Sequence, residues 1–304
     1  MKKKITNLFM ALIISLSSLV APLVSNTTAY AESQSMIMSP MNQRIVITPA
    51  DSYQSSFTIS NPGTATSPID YSLEIAPFYV DEKYNSIFDQ PGTYSEITEW
   101  ITIDSPLTGT LNPNQYAEIN FTINTPSNAP SGGQYAAIIA SITNAEDTNG
   151  TSIKEKQAIA HIIFAEVTGE THKQGEITEA SVPSFLFDGK LTASSTIKNT
   201  GNVHGIATYT LKITPAFGGD DVYNNEEDPE VRTIVPDRTF YNELTWEGTP
   251  SMGLFNVKYT VSFEGVTTEV SKLVIICPIW LLFVIAFIIV GIIIGLIAMF
   301  RRRR

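Results

Sequence analysis

The chain has 304 residues, with 19 basic against 30 acidic side chains, a formal charge of -11, 43% hydrophobic residues and 16% charged ones. That hydrophobic share excludes a disordered polyelectrolyte, and the acidic balance disfavours nucleic acid or an anionic bilayer face as a partner. The length admits one large domain or two ordinary ones.

Lys2, Lys3 and Lys4 precede an apolar run from Leu8 to Val20, and Ala29-Tyr30-Ala31 offers small residues for cleavage. This predicts a signal peptide over residues 1-31, with a mature chain starting near Glu32. Residues 32 to 272 then carry 12 basic and 30 acidic side chains, a formal charge of -18. They contain no cysteine, since Cys277 lies in the last apolar run, so no disulfide is available to the exported part.

Through this segment the hydrophobic pattern has period two. Ile69, Tyr71, Leu73 and Ile75 alternate with Asp70, Ser72 and Glu74, and Tyr209, Leu211 and Ile213 alternate with Thr210 and Lys212. Such alternation predicts strands with one buried and one wet face. Further strands are expected at 55-59, 99-103, 116-123, 134-142, 157-167, 177-182, 190-198, 240-246, 254-263 and 267-270. No capped helical period precedes the last apolar run.

An internal repeat divides the segment. At an offset of 138 residues, Thr58, Ile59, Asn61, Gly63, Tyr71, Leu73, Ile75 and Pro77 match Thr196, Ile197, Asn199, Gly201, Tyr209, Leu211, Ile213 and Pro215. A second echo pairs Pro130, Ser131 and Gly133 with Pro250, Ser251 and Gly253, each followed by an aromatic residue. The expected fold is all-β: two tandem immunoglobulin-like β-sandwiches at 34-168 and 172-270, joined by a short polar linker that limits their relative movement. Asn61 and Gly63, like Asn199 and Gly201, are structural turn residues, with Asn bonding its own backbone and Gly supplying positive φ. Trp100 and Trp246 are expected in the cores.

From Leu273 to Phe300 there is no charge, which predicts a transmembrane helix at 273-300, with Arg301 to Arg304 as a cytoplasmic basic tail at 301-304. The implied location is the plasma membrane, single-pass, with the N-terminal ectodomain outside. Gly291 and Gly295 form a spacing that would let two spans approach, for weak self-association.

No chemical motif emerges. His161, His172 and His204 lack metal-ligand spacing, there is no Gly-x-Ser-x-Gly elbow or phosphate loop, and no catalytic residue, metal or cofactor is expected. The acidic stretches Asp220 to Glu230 and Glu146-Asp147 lack the order of a calcium-binding loop and read as solvated loops.

The whole arrangement resembles the WxL-interacting cell-surface proteins of Gram-positive bacteria. Asn61-Pro62-Gly63, Pro126, Pro130, Gly132-Gly133 and the run Tyr135 to Ile142 resemble that family's peptidoglycan-binding domain; Asn199-Thr200-Gly201, Pro250 and Gly253 resemble its partner domain, which contacts host or surface proteins. The resemblance implies a non-catalytic scaffold of the cell wall that binds peptidoglycan, a secreted or surface protein, or both, with roles in wall attachment or adhesion. If peptidoglycan is bound, Tyr94 and Tyr135 are the candidate contacts. Two other readings stay open: a membrane-complex component that docks a secreted partner, and a wall hydrolase.

Overall fold

The computed structural model describes residues 36-302, apart from 66, 82 and 146-153. The expected signal peptide, the Glu146-Asp147 loop and the last two arginines lie outside the described residues.

The first sandwich comprises β1 (Ile37–Ser39), β2 (Asn42–Ile47), β3 (Ser52–Ser60), β4 (Ile69–Pro77), β5 (Tyr79–Val80), β6 (Ser86–Ile87), β7 (Ile101–Ile103), β8 (Thr108–Leu111), β9 (Tyr116–Asn124), β10 (Gly132–Ala145) and β11 (Lys154–Val167). One sheet runs β1-β3-β9-β7 and the other β2-β11-β10-β4-β8. The second sandwich comprises β12 (Gly175–Ser181), β13 (Phe185–Leu186), β14 (Leu191–Asn199), β15 (Gly205–Pro215), β16 (Tyr223–Asn224), β17 (Glu230–Ile234), β18 (Thr239–Trp246), β19 (Gly253–Phe263) and β20 (Val266–Ile276). Its sheets run β12-β14-β18 and β13-β20-β19-β15, with β16 and β17 beside β15.

Alternation sets the faces. In β4 every second residue from Ile69 to Leu73 is buried, and β14 and β15 repeat the pattern. Each sandwich closes over its own core. In the first, Phe57 and Phe121 pack with ring centroids 6.3 Å apart. In the second, Tyr209, Tyr259 and Phe263 fill the centre, and the Tyr259 hydroxyl is 2.8 Å from Ser195 Oγ. Full burial of each such ring contributes roughly 2–3 kcal/mol. Trp100 and Trp246 are both buried in these cores.

The sequence repeat is a structural repeat. β3 pairs with β9 as β14 pairs with β18, β4 with β10 as β15 with β19, and β10 with β11 as β19 with β20. In each unit the opening strand crosses between sheets: β1 pairs with β3 while β2 runs parallel to β11, and β12 pairs with β14 while β13 runs parallel to β20. The Pro-Ser-x-Gly echo has a shared cause. A Cβ on Gly133 would lie 2.0 Å from the Tyr135 hydroxyl, and one on Gly253 would lie 2.4 Å from the Phe255 ring, so each glycine makes room for the aromatic two residues on.

The Asn turns are structural, but not wholly as the sequence implies. Asn61 Nδ2 donates to the carbonyls of Ser67 (3.0 Å) and Leu111 (2.9 Å), and Asn199 Nδ2 to those of Val203 (2.9 Å) and Ile234 (2.8 Å). Only Asn199 also bonds its own turn, its Oδ1 accepting the Gly201 N–H at 2.9 Å. Neither Gly63 nor Gly201 has the expected positive φ. Gly201 is required for space instead, since a Cβ there would lie 2.1 Å from the His172 carbonyl oxygen, whereas at Gly63 the nearest atom would be Asn114 Oδ1 at 3.2 Å.

The final apolar run is not all helix. Leu273 to Ile276 belong to β20, paired with Asn256 to Gly253 of β19, and α1 spans Ile279–Arg302. The edge hydrogen bonds and the alternating burial of Val274 and Ile276 hold these residues in the sheet, and Pro278, which lacks an N–H, separates strand from helix. The second sandwich therefore ends at Ile276, later than expected. At about 1.5 Å per residue α1 is about 36 Å long, and Ile279–Ile297 is long and apolar enough to cross a membrane.

Candidate functional site: the cleft between the sandwiches

The run Tyr135 to Ala140 in β10 has no polar alternation, so its strand has two dry faces. Ala136, Ile138 and Ala140 face the first core, while Tyr135 and Ala137 belong to a separate apolar cluster with Phe78, Val80, Phe164 and Val235. The covering material is the excursion from Phe78 to Glu99, which folds back over β10 and β11 through Phe78, Tyr84, Phe88 and Tyr94. Val235 comes from the second sandwich, so the cluster spans both units.

Polar contacts fix this junction. The Tyr84 hydroxyl donates to the Thr233 carbonyl and accepts the Val235 N–H, each at 3.0 Å, while its ring lies 4.6 Å from that of Phe240. Burial raises the Tyr84 phenol well above its ordinary range. Arg44 Nε donates to Thr233 Oγ1 (3.0 Å) and Arg238 Nε to the Val80 carbonyl (2.8 Å). At the other end of the joint the Gly133 N–H donates to the Asn202 carbonyl at 2.8 Å, and Asn202 in turn binds the linker at His172 and Glu170. Gly132, at φ 114°, passes close beneath: a Cβ there would lie 2.7 Å from the Asn202 oxygen.

His204 sits inside the junction, its ring 5.8 Å from Tyr135 and 5.6 Å from Phe164. It is 8% exposed and Nδ1 has no hydrogen-bond partner. Burial drives its pKa down to about 4, against the weaker upward pull of Glu166. His161 is a different case: it is buried beneath β1 and β2, with Nδ1 2.8 Å from the Pro40 carbonyl and its ring stacked 4.5 Å from Phe57. Burial lowers its pKa too, opposed by that carbonyl. His172 is exposed in the linker.

Above the apolar cluster opens a cleft of about 310 Å³ with walls from both sandwiches: Tyr79, Gly92 and Tyr94 on one side, Pro236, Asp237 and Arg238 on the other, with Tyr135 and Val235 at the base. The Tyr94 hydroxyl donates to Asp237 Oδ2 at 2.8 Å, and burial, reinforced by that carboxylate, pushes its pKa up to about 12. Asp237 holds φ 57°, a strained angle for a residue with a Cβ. Arg238, which lines the cleft, forms no ion pair with a carboxylate among the described residues.

Tyr94 and Tyr135 thus come together, with ring centroids 6.1 Å apart in an edge-to-face pair. Their roles differ. Tyr135 is 1% exposed, with burial raising its phenol, so it packs the junction; its hydroxyl lies beside the His204 main-chain N–H but outside hydrogen-bonding geometry. Tyr94 is half-buried and meets the cleft. The second sandwich's share, Val235 to Arg238, carried no sequence motif. Aromatic spacing in 78-94 was the available signal for the first sandwich's share.

The other flagged residues stand apart. In the acidic stretch, Lys212 Nζ pairs with Asp221 (3.0 Å) and Glu226 (3.7 Å), and the Lys212 hydrogen bond lowers the Asp221 pKa. No group of metal-binding side chains occurs among the described residues. Gly291 and Gly295 lie open on α1, with nothing near a Cβ at either.

No family model matches the chain, and no curated protein matches it. Similar solved structures include the class 5 fimbriae chaperone CfaA (11% identity, covering 78% of this chain and 99% of that one, TM-score 0.38). The Escherichia coli chaperone DraB is 14% identical, covering 78% of this chain and 96% of that one, with TM-score 0.38. The Pseudomonas aeruginosa CupB2 chaperone is 11% identical, covering 77% and 98%, with TM-score 0.33. At these values the likeness carries no argument about function.

Proposed function

We propose that this is a membrane-anchored, non-catalytic binding protein of the bacterial cell envelope, which holds a peptidoglycan strand in the cleft between its sandwiches. The observation that carries the reading is the cleft itself, lined by Tyr79 and Tyr94 from one sandwich and by Asp237 and Arg238 from the other. Aromatic rings accept the apolar faces of sugars, a carboxylate accepts hydroxyl and amide donors, and a guanidinium takes up the carboxylate of a stem peptide in a two-pronged contact. The resemblance to WxL-interacting proteins supports the same ligand. α1 supplies the anchor, and the sandwiches stand on the outer side.

The test is retention of the detergent-solubilised full chain on purified peptidoglycan, at low and physiological salt, beside Tyr94→Ala and Arg238→Gln. Retention of the parent that drops at least ten-fold in each variant is the expected result. Variants retained as well as the parent would move the ligand away from the cleft. Absence of retention at both salts would remove peptidoglycan as the ligand.

A further inference from the structure

The end of the second sandwich nearest α1 is ringed by large apolar side chains that its own core does not use. The last rows of the sheet can be read across it: Phe185 stands beside Ile275, which faces Leu254, and Leu186 stands beside Ile276, which faces Gly253. One step beyond come Phe187, next to Cys277, and Met252, before Gly253; the turn after β15 adds Phe217, just past Ala216, whose N–H bonds the Leu254 carbonyl at 2.9 Å. Phe187 is 47% exposed, Met252 51% and Phe217 91%. Three of the larger exposed apolar groups of the sandwich therefore project from one end, contributed by three separate connections.

That end is tied to α1. The Cys277 N–H donates to the Leu186 carbonyl and the Leu281 N–H to the Pro278 carbonyl, each at 2.9 Å, so only Cys277 and Pro278 separate β20 from the helix. From Ile279 to Arg301 the helix rises about 33 Å, close to the roughly 30 Å hydrocarbon core of a bilayer. Trp280, 57% exposed, then falls at the outer boundary, where indole rings concentrate. Ile276 stands three residues above Ile279, so the end of the sheet lies within about 10 Å of the hydrocarbon at the extended-strand rise.

We infer that Phe187, Phe217 and Met252 form a collar that dips into the outer leaflet of the membrane crossed by α1, seating the second sandwich on the lipid surface at a fixed height. This rests on the proposed reading of α1 as a membrane anchor. Asp188 and Asp220 flank the collar and are exposed, so anionic head groups do not attract it, and it seats equally on a neutral phosphatidylcholine bilayer.

The single cysteine makes the test direct. In the full chain carrying Cys277→Ser, one residue at a time is changed to cysteine, labelled with an environment-sensitive fluorophore and reconstituted in phosphatidylcholine vesicles containing spin-labelled lipid. Phe187→Cys, Phe217→Cys and Met252→Cys probe the collar, Ile288→Cys the middle of α1, and Val266→Cys the opposite end of β20. Expected is at least two-fold quenching at 187, 217 and 252 by lipid labelled near the glycerol, quenching at 288 by lipid labelled deep in the chain, and none at 266. Quenching at 288 with 187, 217 and 252 as bright as 266 overturns the collar while leaving the anchor standing. No quenching at 288 removes the anchor, and the collar with it. The five positions changed to cysteine are exposed, and the half-buried Cys277 is replaced by Ser in every protein compared, so differences between the labelled positions do not come from loss of fold.

Discussion

Replacing Asn199 by Ala should cost more than replacing Asn61 by Ala, although the two occupy equivalent turns of a repeated unit. Both are 1% exposed. Asn199 makes three side-chain hydrogen bonds, to the Val203 and Ile234 carbonyls and from the Gly201 N–H, while Asn61 makes two and its Oδ1 has none. Each net bond is worth about 1 kcal/mol and a stranded buried polar group costs about 1–3 kcal/mol. On that footing Asn199→Ala costs about 3–5 kcal/mol and Asn61→Ala about 2–3 kcal/mol. Two sandwiches need not unfold together, so a single melting curve would mix them. Hydrogen exchange separates them: the slowest amides of β14 should exchange at least about 100-fold faster in Asn199→Ala, and those of β3 by a smaller factor in Asn61→Ala. An effect on β3 equal to or larger than that on β14, or one below about ten-fold at β14, would refute the reasoning.

Acid should loosen the junction through His204. Its pKa is depressed to about 4 in the folded chain and is about 6.5 unfolded, so the unfolded state binds the proton first and stability falls as pH drops from 6.5 towards 4, by up to about 3 kcal/mol. Melting followed between pH 7 and 4.5 checks this, and His204→Gln should flatten the dependence; His161, lowered in the same direction, contributes the remainder. Gly201→Ala should expose the linker to protease, because its Cβ would lie 2.1 Å from the His172 oxygen, whereas Gly63→Ala should cost under about 1 kcal/mol; equal resistance in both would contradict this. Tyr84→Phe strands the Val235 N–H and the Thr233 carbonyl, so it should cost about 2 kcal/mol and speed exchange at Val235 while leaving the centres of β3 and β14 slow.

What the sequence disclosed follows from where one buried face sets the pattern. The alternation at Ile69 to Ile75 and Tyr209 to Ile213 named β4 and β15, and the offset of 138 residues tied them into one repeated topology. The short strands β2 and β13 were not legible, since they take their place from the parallel edges of β11 and β20 rather than from a period of their own. The end of β20 was hidden because a run apolar at every position has no period, leaving Pro278 as the mark of the change from strand to helix. Tyr94 and Tyr135, named from the sequence as candidate contacts, lie next to each other in the structure, Tyr94 at the cleft and Tyr135 buried beneath it. The cleft is completed by Pro236, Asp237 and Arg238, whose position depends on the packing of one sandwich against the other.

The repeat also explains how that packing arises. A duplicated unit begins with two copies of the same Asn-x-Gly turn, and in the first copy the turn stays local: Asn61 exchanges main-chain bonds with Asn114 and Gln115 of its own sandwich. In the second copy the turn becomes a joint. The N–H groups of Thr200 and Gly201 both donate to the Gln174 carbonyl of the linker, and the next residue, Asn202, receives the Gly133 N–H from the first sandwich. The glycine requirement moves accordingly, from tolerance at Gly63 to strict lack of space at Gly201 and Gly132. Because Asn199 also holds the Ile234 carbonyl, the same side chain that closes the turn positions the strand end from which Val235 to Arg238 continue into the cleft. A substitution that loosens Asn199 should therefore weaken ligand retention as well as the fold, in proportion to the exposure it causes at Val235. The same loss at Asn61 should leave retention intact.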